Sequence, residues 1–95
     1  MLTGKQKRYL RALASEERAI FQIGHDSLSD NLIEQVSNAL EARELVKVSV
    51  LKNAPGDLQE TAFDLARYTH SELVQVIGRT IVLYRPSDDP EIILP

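Results

Sequence analysis

Few side chains in this sequence could act as nucleophile, base or ligand. There are two histidines, His25 and His70, a scatter of carboxylates and no cysteine. Without a thiol the chain has no thiolate nucleophile, zinc-thiolate site or disulfide framework. Neither histidine stands in a nucleophile or metal-ligand pattern. His70 follows Thr69 where a helix is expected to end, a position that suits a histidine facing the negative end of the helix dipole. His25 is more telling, because it lies in Ile23-Gly24-His25-Asp26-Ser27-Leu28, where an apolar run from Ala19 halts at a glycine and a helix follows. A strand that turns onto a helix N-terminus exposes free backbone amides and the positive end of the dipole, a place that can hold an anion. Asp26 sets a negative charge in the same turn. His25 with Asp26 is also the pair from which a small hydrolase could be built, but no nucleophile accompanies it. The adjacent carboxylates Glu16 with Glu17 and Asp88 with Asp89 read as solvated surface. The chain is therefore read as non-enzymatic, with no cofactor, metal or small-molecule substrate implied. Gly24 itself matches no phosphate-loop or dinucleotide fingerprint, and on spacing alone its ordinary role is to supply a backbone angle.

These residues must be positioned by a small body. A length of 95 residues with 43% hydrophobic content suits a single domain with a single core, its last stretch, 86–95, forming an extended tail. No apolar run approaches membrane-spanning length, and Tyr9 to Ala14 is too short and interrupted for a signal-peptide core, so no membrane partner and a cytoplasmic location are expected. The formal net charge is -3, unlike proteins that coat nucleic acid through their overall field. The distribution is uneven: Lys5, Lys7, Arg8, Arg11 and Arg18 against Glu16 and Glu17 leave the first eighteen residues at +3, and the remainder at -6.

The elements follow from periodicity and caps. Thr3 with Gln6 forms a capping-box pattern ahead of Tyr9, Leu10, Leu13 and Ala14 at helical spacing. Lys7, Arg8, Arg11 and Arg18 then fall opposite the apolar stripe as a solvent-facing basic ridge. Ser29 is the N-cap of a second helix from Asp30 to Arg43, with Leu28 and Ile33 spaced as a hydrophobic staple. Its buried face is Leu32, Ile33, Val36, Ala39 and Leu40, and Glu34, Gln35, Asn38 and Glu41 form an acidic outer face. Leu45 to Leu51 alternates as a strand with Val46, Val48 and Val50 inward and Lys47 and Ser49 on a face expected to be left uncovered. A turn is expected at Asn53-Ala54-Pro55-Gly56, then Asp57 and Glu60 open a third helix that ends near Thr69. Leu73 to Ile77 and Thr80 to Tyr84 are strands joined by Gly78-Arg79, a pair suited to a type II′ hairpin with Arg79 at its tip. The tyrosines at 9, 68 and 84 are expected in core or rim packing, which leaves no aromatic platform for bases. The sum is an α/β fold: an N-terminal helix, then β-α-β-α-β-β around a four-stranded mixed sheet.

Four stretches in order resemble a known family along almost the whole chain. They are Leu2 to Arg11, the junction Ile23 to Leu28, Arg43 to Val48, and Gln75-Val76-Ile77-Gly78-Arg79 running on to Arg85-Pro86. They look like the CRM domain, named for chloroplast RNA splicing and ribosome maturation, in its stand-alone bacterial form. The resemblance implies a fold similar to the C-terminal domain of a translation initiation factor. It also implies RNA binding and association with precursors of the large ribosomal subunit, with ribosomal RNA as partner; a monomer is expected. The family's G-x-x-G loop, similar in concept to the backbone clamp of KH domains, corresponds to Gly24-His25-Asp26-Ser27, with Ser27 in place of the second glycine. A surface of Lys5, Lys7, Arg8, Arg11, Gly24, His25, Ser27, Lys47, Arg79 and Arg85 is then expected to meet RNA, with His25 strengthening binding as it gains charge at lower pH. The alternative is an adaptor that docks basic ribosomal proteins on the acidic face from Glu34 to Glu41.

Overall fold

Three helices begin where a side chain can satisfy their first amides. In the computed structural model, which describes residues 1–95, Thr3 accepts from the Gln6 amide and the Gln6 side chain accepts from the Thr3 amide, a complete capping box that opens α1 (Gly4–Ala14). Ser29 accepts from the Leu32 amide at the head of α2 (Asp30–Arg43), and Asp57 from the Glu60 amide at the head of α3 (Leu58–Tyr68). Each such cap is worth about 1 kcal/mol. At the other end of α3, His70 takes the left-handed conformation (φ 54°), and the amides of His70 and Ser71 return to the carbonyls of Arg67 and Ala66. His70 is thus a Schellman-type helix stop.

The strands β1 (Ala19–Ile23), β2 (Leu45–Val50), β3 (Glu72–Ile77) and β4 (Thr80–Tyr84) form one sheet in the order β1-β2-β4-β3. β1 and β2 are parallel across α2, and β4 runs antiparallel to both of its neighbours. The chain crosses from β2 through α3 to the far edge, and the hairpin then fills the position it skipped. At the hairpin turn Gly78 has φ 58° while Arg79 stays out of the positive-φ region, the signature of type II′.

Both faces of the sheet are buried. Ile23, Val46, Val48, Val50, Ile81 and Leu83 pack against Val36 and Leu40 of α2 and Ala62, Leu65 and Ala66 of α3. On the opposite face Leu45, Val74, Val82 and Tyr84 are covered by Leu10 and Ala14 of α1, with Ile92 and Leu94 of the tail alongside. This corrects the expectation of an uncovered face. Lys47 lies beneath the end of α1, where its ammonium donates to the carbonyls of Ala14 and Glu17, 3.1 Å each. α1 also stops at Ala14, so Arg18 belongs to the connection into β1 and not to the helical ridge. The turn after β2 is displaced from its expected place: the Ala54 amide closes onto the Leu51 carbonyl at 3.0 Å, which puts Lys52 and Asn53 at the corners.

The end of the sheet where β2 begins is organised by a buried acid. Glu44 follows α2 with φ 68° and is only 2% exposed. Its carboxylate accepts from the amides of Ser87 (2.8 Å), Glu91 (2.9 Å) and Ile92 (2.8 Å) and from the Ser87 hydroxyl (3.0 Å). Burial by itself would raise the Glu44 pKa. The hydrogen bonds outweigh it and hold the carboxyl below its ordinary range. Beside it, the Arg85 guanidinium donates to the Ser37 hydroxyl and carbonyl and to the Thr69 carbonyl, which locks α2 to the end of α3.

Removing the charge of Glu44 therefore disturbs the tail. Glu44→Gln is expected to cost about 2 to 3 kcal/mol at pH 7, because donors aimed at a buried carboxylate lose their partner. Since the folded carboxyl titrates below its ordinary value of 4.5, the wild-type advantage is full above that pH. It shrinks as pH falls through the lowered folded value. Urea unfolding of both proteins across pH 7 to 2 checks this: the two stabilities should converge only at the acid end.

Candidate nucleic-acid interface

Strand directions bring three turns to one end of the sheet. β1 and β2 run parallel and exit there, and the antiparallel β4 enters there from its hairpin, so the turns stand side by side in strand order. In the first, the Ser27 amide donates to the Gly24 carbonyl at 3.0 Å, with His25 and Asp26 at the corners. His25 Nε2 lies 3.2 Å from Asp26 Oδ1, and these side chains are 78% and 85% exposed. That is a solvated pair, and no base is held against a nucleophile. The second turn presents exposed Lys52 and Asn53. The third presents Arg79, whose Nε and Nη2 donate to the carbonyls of Val50 (2.8 Å) and Leu51 (2.9 Å). The turns are joined laterally, since the Leu51 amide donates to the Ile23 carbonyl at 2.8 Å and the Val50 amide to the Arg79 carbonyl at 2.7 Å.

The two ends of the first turn differ in what the backbone asks of them. Ser27 sits in the left-handed region with φ 56°, the conformation that glycine adopts freely, in the position of the second glycine. Gly24 has no such angle, and a Cβ built there would meet only Leu51 Cδ1 at 3.7 Å, ordinary contact. The fold does not need a glycine at 24, which sets aside the reading that Gly24 merely supplies an angle. Gly24 is half-buried and precedes the Ser29 cap of α2 by the length of this turn and Leu28.

Of the residues expected at an interface, the structure gathers Gly24, His25 and Ser27 at the first of these turns and Arg79 at the third. Lys5, Arg8 and Arg11 are exposed on α1 and Lys7 is half-buried. They ride on a separate layer that starts at the opposite end of the sheet, where the Leu2 amide donates to Glu72 at 3.1 Å. Lys47 and Arg85 are occupied inside the fold, and neither is presented to a ligand. Lys52 was missed: it falls in the displaced turn and belongs to no motif, and only the parallel exit of β2 beside β1 reveals it. The acidic face of α2 is not wholly free either, because Glu41 accepts from the Asp88 amide at 2.9 Å. A cleft of about 250 Å³ at that end gathers the carboxylates of Glu41, Glu44, Asp88, Asp89 and Glu91. Carboxylates stand at both ends of the sheet, since Asp26 and, at the heads of α2 and α3, Asp30, Asp57 and Glu60 lie on the side of the turns. The turns carry no aromatic ring: Tyr84 is buried at 4% exposure, while Phe63 and Tyr68 lie open along α3 at 60% and 51%. No helix is long and apolar enough to cross a membrane.

Fold and site together define a small three-layer α/β module with an open glycine turn leading into a helix and basic side chains on the neighbouring turns. The chain belongs to the CRS1/YhbY (CRM) domain family, whose model matches residues 2–85. It is 52% identical over the full length of both chains to the Bacillus subtilis protein named "Probable RNA-binding protein YqeI". A Haemophilus influenzae protein named "RNA-binding protein" is 35% identical, with 99% of this chain and 95% of that one covered. A Staphylococcus aureus protein solved in solution, and described as a candidate RNA binder, shares 55% identity and superposes over the full length of both chains with a TM-score of 0.83.

The two ends of the glycine turn should respond oppositely to the usual rules. Gly24→Ala is expected to leave stability unchanged or raise it by about 0.5 kcal/mol, through the unfolded chain. Ser27→Gly should gain roughly 0.5 to 1 kcal/mol, the relief of left-handed strain less the entropy of the added glycine. Thermal unfolding of the two variants tests both.

Proposed function

We propose that the protein is a noncatalytic RNA-binding module, a cytoplasmic monomer that associates with precursors of the large ribosomal subunit during assembly. The observation that carries this reading is Gly24: a glycine that neither backbone angle nor packing requires, in the turn between β1 and the Ser29 cap of α2, with cations on the adjoining turns. An RNA phosphate would approach the turn at His25 and Asp26, since the Ser27 amide is bonded to Gly24 and the Leu32 amide to Ser29, while Lys52 and Arg79 supply charge beside it. Lys5, Arg8 and Arg11 extend the basic surface onto α1. The absence of rings from the turns favours contact with the sugar-phosphate backbone over base stacking. Support for RNA as the partner comes from the names of the relatives, and support for the ribosomal role from the family resemblance.

Binding to fragments of large-subunit ribosomal RNA across a salt series tests the proposal. Affinity should fall with salt, with a modest slope, because the cations at the turns are few. Gly24→Ala should weaken binding about tenfold with an unchanged slope, whereas Lys52→Gln should reduce the slope by about 0.7, one phosphate contact to single-stranded RNA. Asp26→Lys combined with Ser27→Gly should tighten binding. Co-sedimentation with precursor large subunits, lost when Lys7, Arg8 and Arg11 are changed to Glu, checks the assembly role. Salt-independent binding, or wild-type affinity in Gly24→Ala, would overturn the reading.

A further inference from the structure

Arg79 does more at the row of turns than present a charge. Its fork donates to two consecutive carbonyls, Val50 and Leu51, just past the last ladder pair of β2 with β4, Ser49 with Thr80. Its own carbonyl receives the Val50 amide at 2.7 Å. The residue held in this way is the one that touches the glycine turn. Leu51 donates its amide to Ile23, the residue before Gly24, and its Cδ1 lies 3.7 Å from the point a Gly24 Cβ would occupy. The Leu51 carbonyl also accepts from Ala54, so the turn that carries Lys52 is closed on the same oxygen.

We propose that Arg79 is a positioning residue, which clamps the exit of β2 and through Leu51 sets the placement of the Gly24 turn and of Lys52. This rests on the RNA reading above for its functional meaning, though not for its geometry. A guanidinium can bridge two successive carbonyls with a planar fork, and an ammonium cannot reproduce that geometry. The residue therefore has two separable properties, its charge and its clamp, and Arg79→Lys keeps the first while removing the second.

In the salt series with large-subunit ribosomal RNA fragments, Arg79→Lys should bind about tenfold more weakly with an unchanged slope, the size of a lost charge-assisted hydrogen bond. The loss should be less than additive with Gly24→Ala, since both act on one turn. In the free protein, the amide resonances of Gly24 to Ser27 should shift in Arg79→Lys and again in Leu51→Ala, a partly exposed position that leaves the core intact. They should stay in place in Lys52→Gln. Unmoved amides in Arg79→Lys, or wild-type affinity in that variant, would overturn the proposal. If the wild-type protein binds none of the RNA fragments, the RNA reading falls, and the amide shifts alone decide whether Arg79 sets the turn.

Discussion

The ladder between β2 and β4 is the contact on which the rest of the molecule is built. It joins residues far apart in the chain, and it is the only strand pair whose members both lie inside the sheet. Val46, Val48, Ile81 and Leu83 of these strands serve one hydrophobic cluster, while Leu45, Val82 and Tyr84 serve the other. Each fully buried aliphatic side chain contributes about 1.5 to 3 kcal/mol, so the two strands anchor both layers of helices at once. The same ladder fixes direction. With β4 antiparallel to β2, the hairpin tip has to stand beside the exits of β1 and β2, and the tail has to emerge at the other end.

The tail and the three turns therefore lie at opposite ends of the sheet. The tail's carboxylates and Glu41 collect around Glu44, where backbone amides balance the buried charge. Lys52 and Arg79 stand at the opposite end, interleaved with Asp26, Asp30, Asp57 and Glu60.

Most of the architecture was legible in the sequence because caps and periodicity are local. Ser29 and Asp57 announce α2 and α3, and the alternation through Val46, Val48 and Val50 announces both β2 and its inward face. What could not be read depends on contacts between distant segments. The position of β4 between β2 and β3 is one such fact. The cover that α1 gives to the Lys47 face is another, since alternation shows that a residue points away from one layer and says nothing about a second layer. Arg85 looked like a free cation and is a brace, because its partners Ser37 and Thr69 lie on two other elements. Glu44 left no signal at all: a glutamate after a helix is ordinary, and its burial depends on a tail more than forty residues later. At the turns, the glycine and Arg79 were found from local patterns, whereas Lys52 needed the strand order to bring it alongside.

The capping of α1 and the course of the tail have a joint consequence. The Gln6 side chain that completes the box also donates its amide to the carbonyl of Pro95 at 3.3 Å, and the Met1 ammonium lies 4.0 Å from Glu72, at the start of β3. First and last residues thus meet next to one another, at the end of the sheet remote from the three turns. A polypeptide that enters and leaves through neighbouring points can be spliced into a longer chain, strung in tandem or permuted without disturbing the turns at its far end. The architecture is in that sense a cartridge, whose three turns stand apart from whatever its ends are joined to.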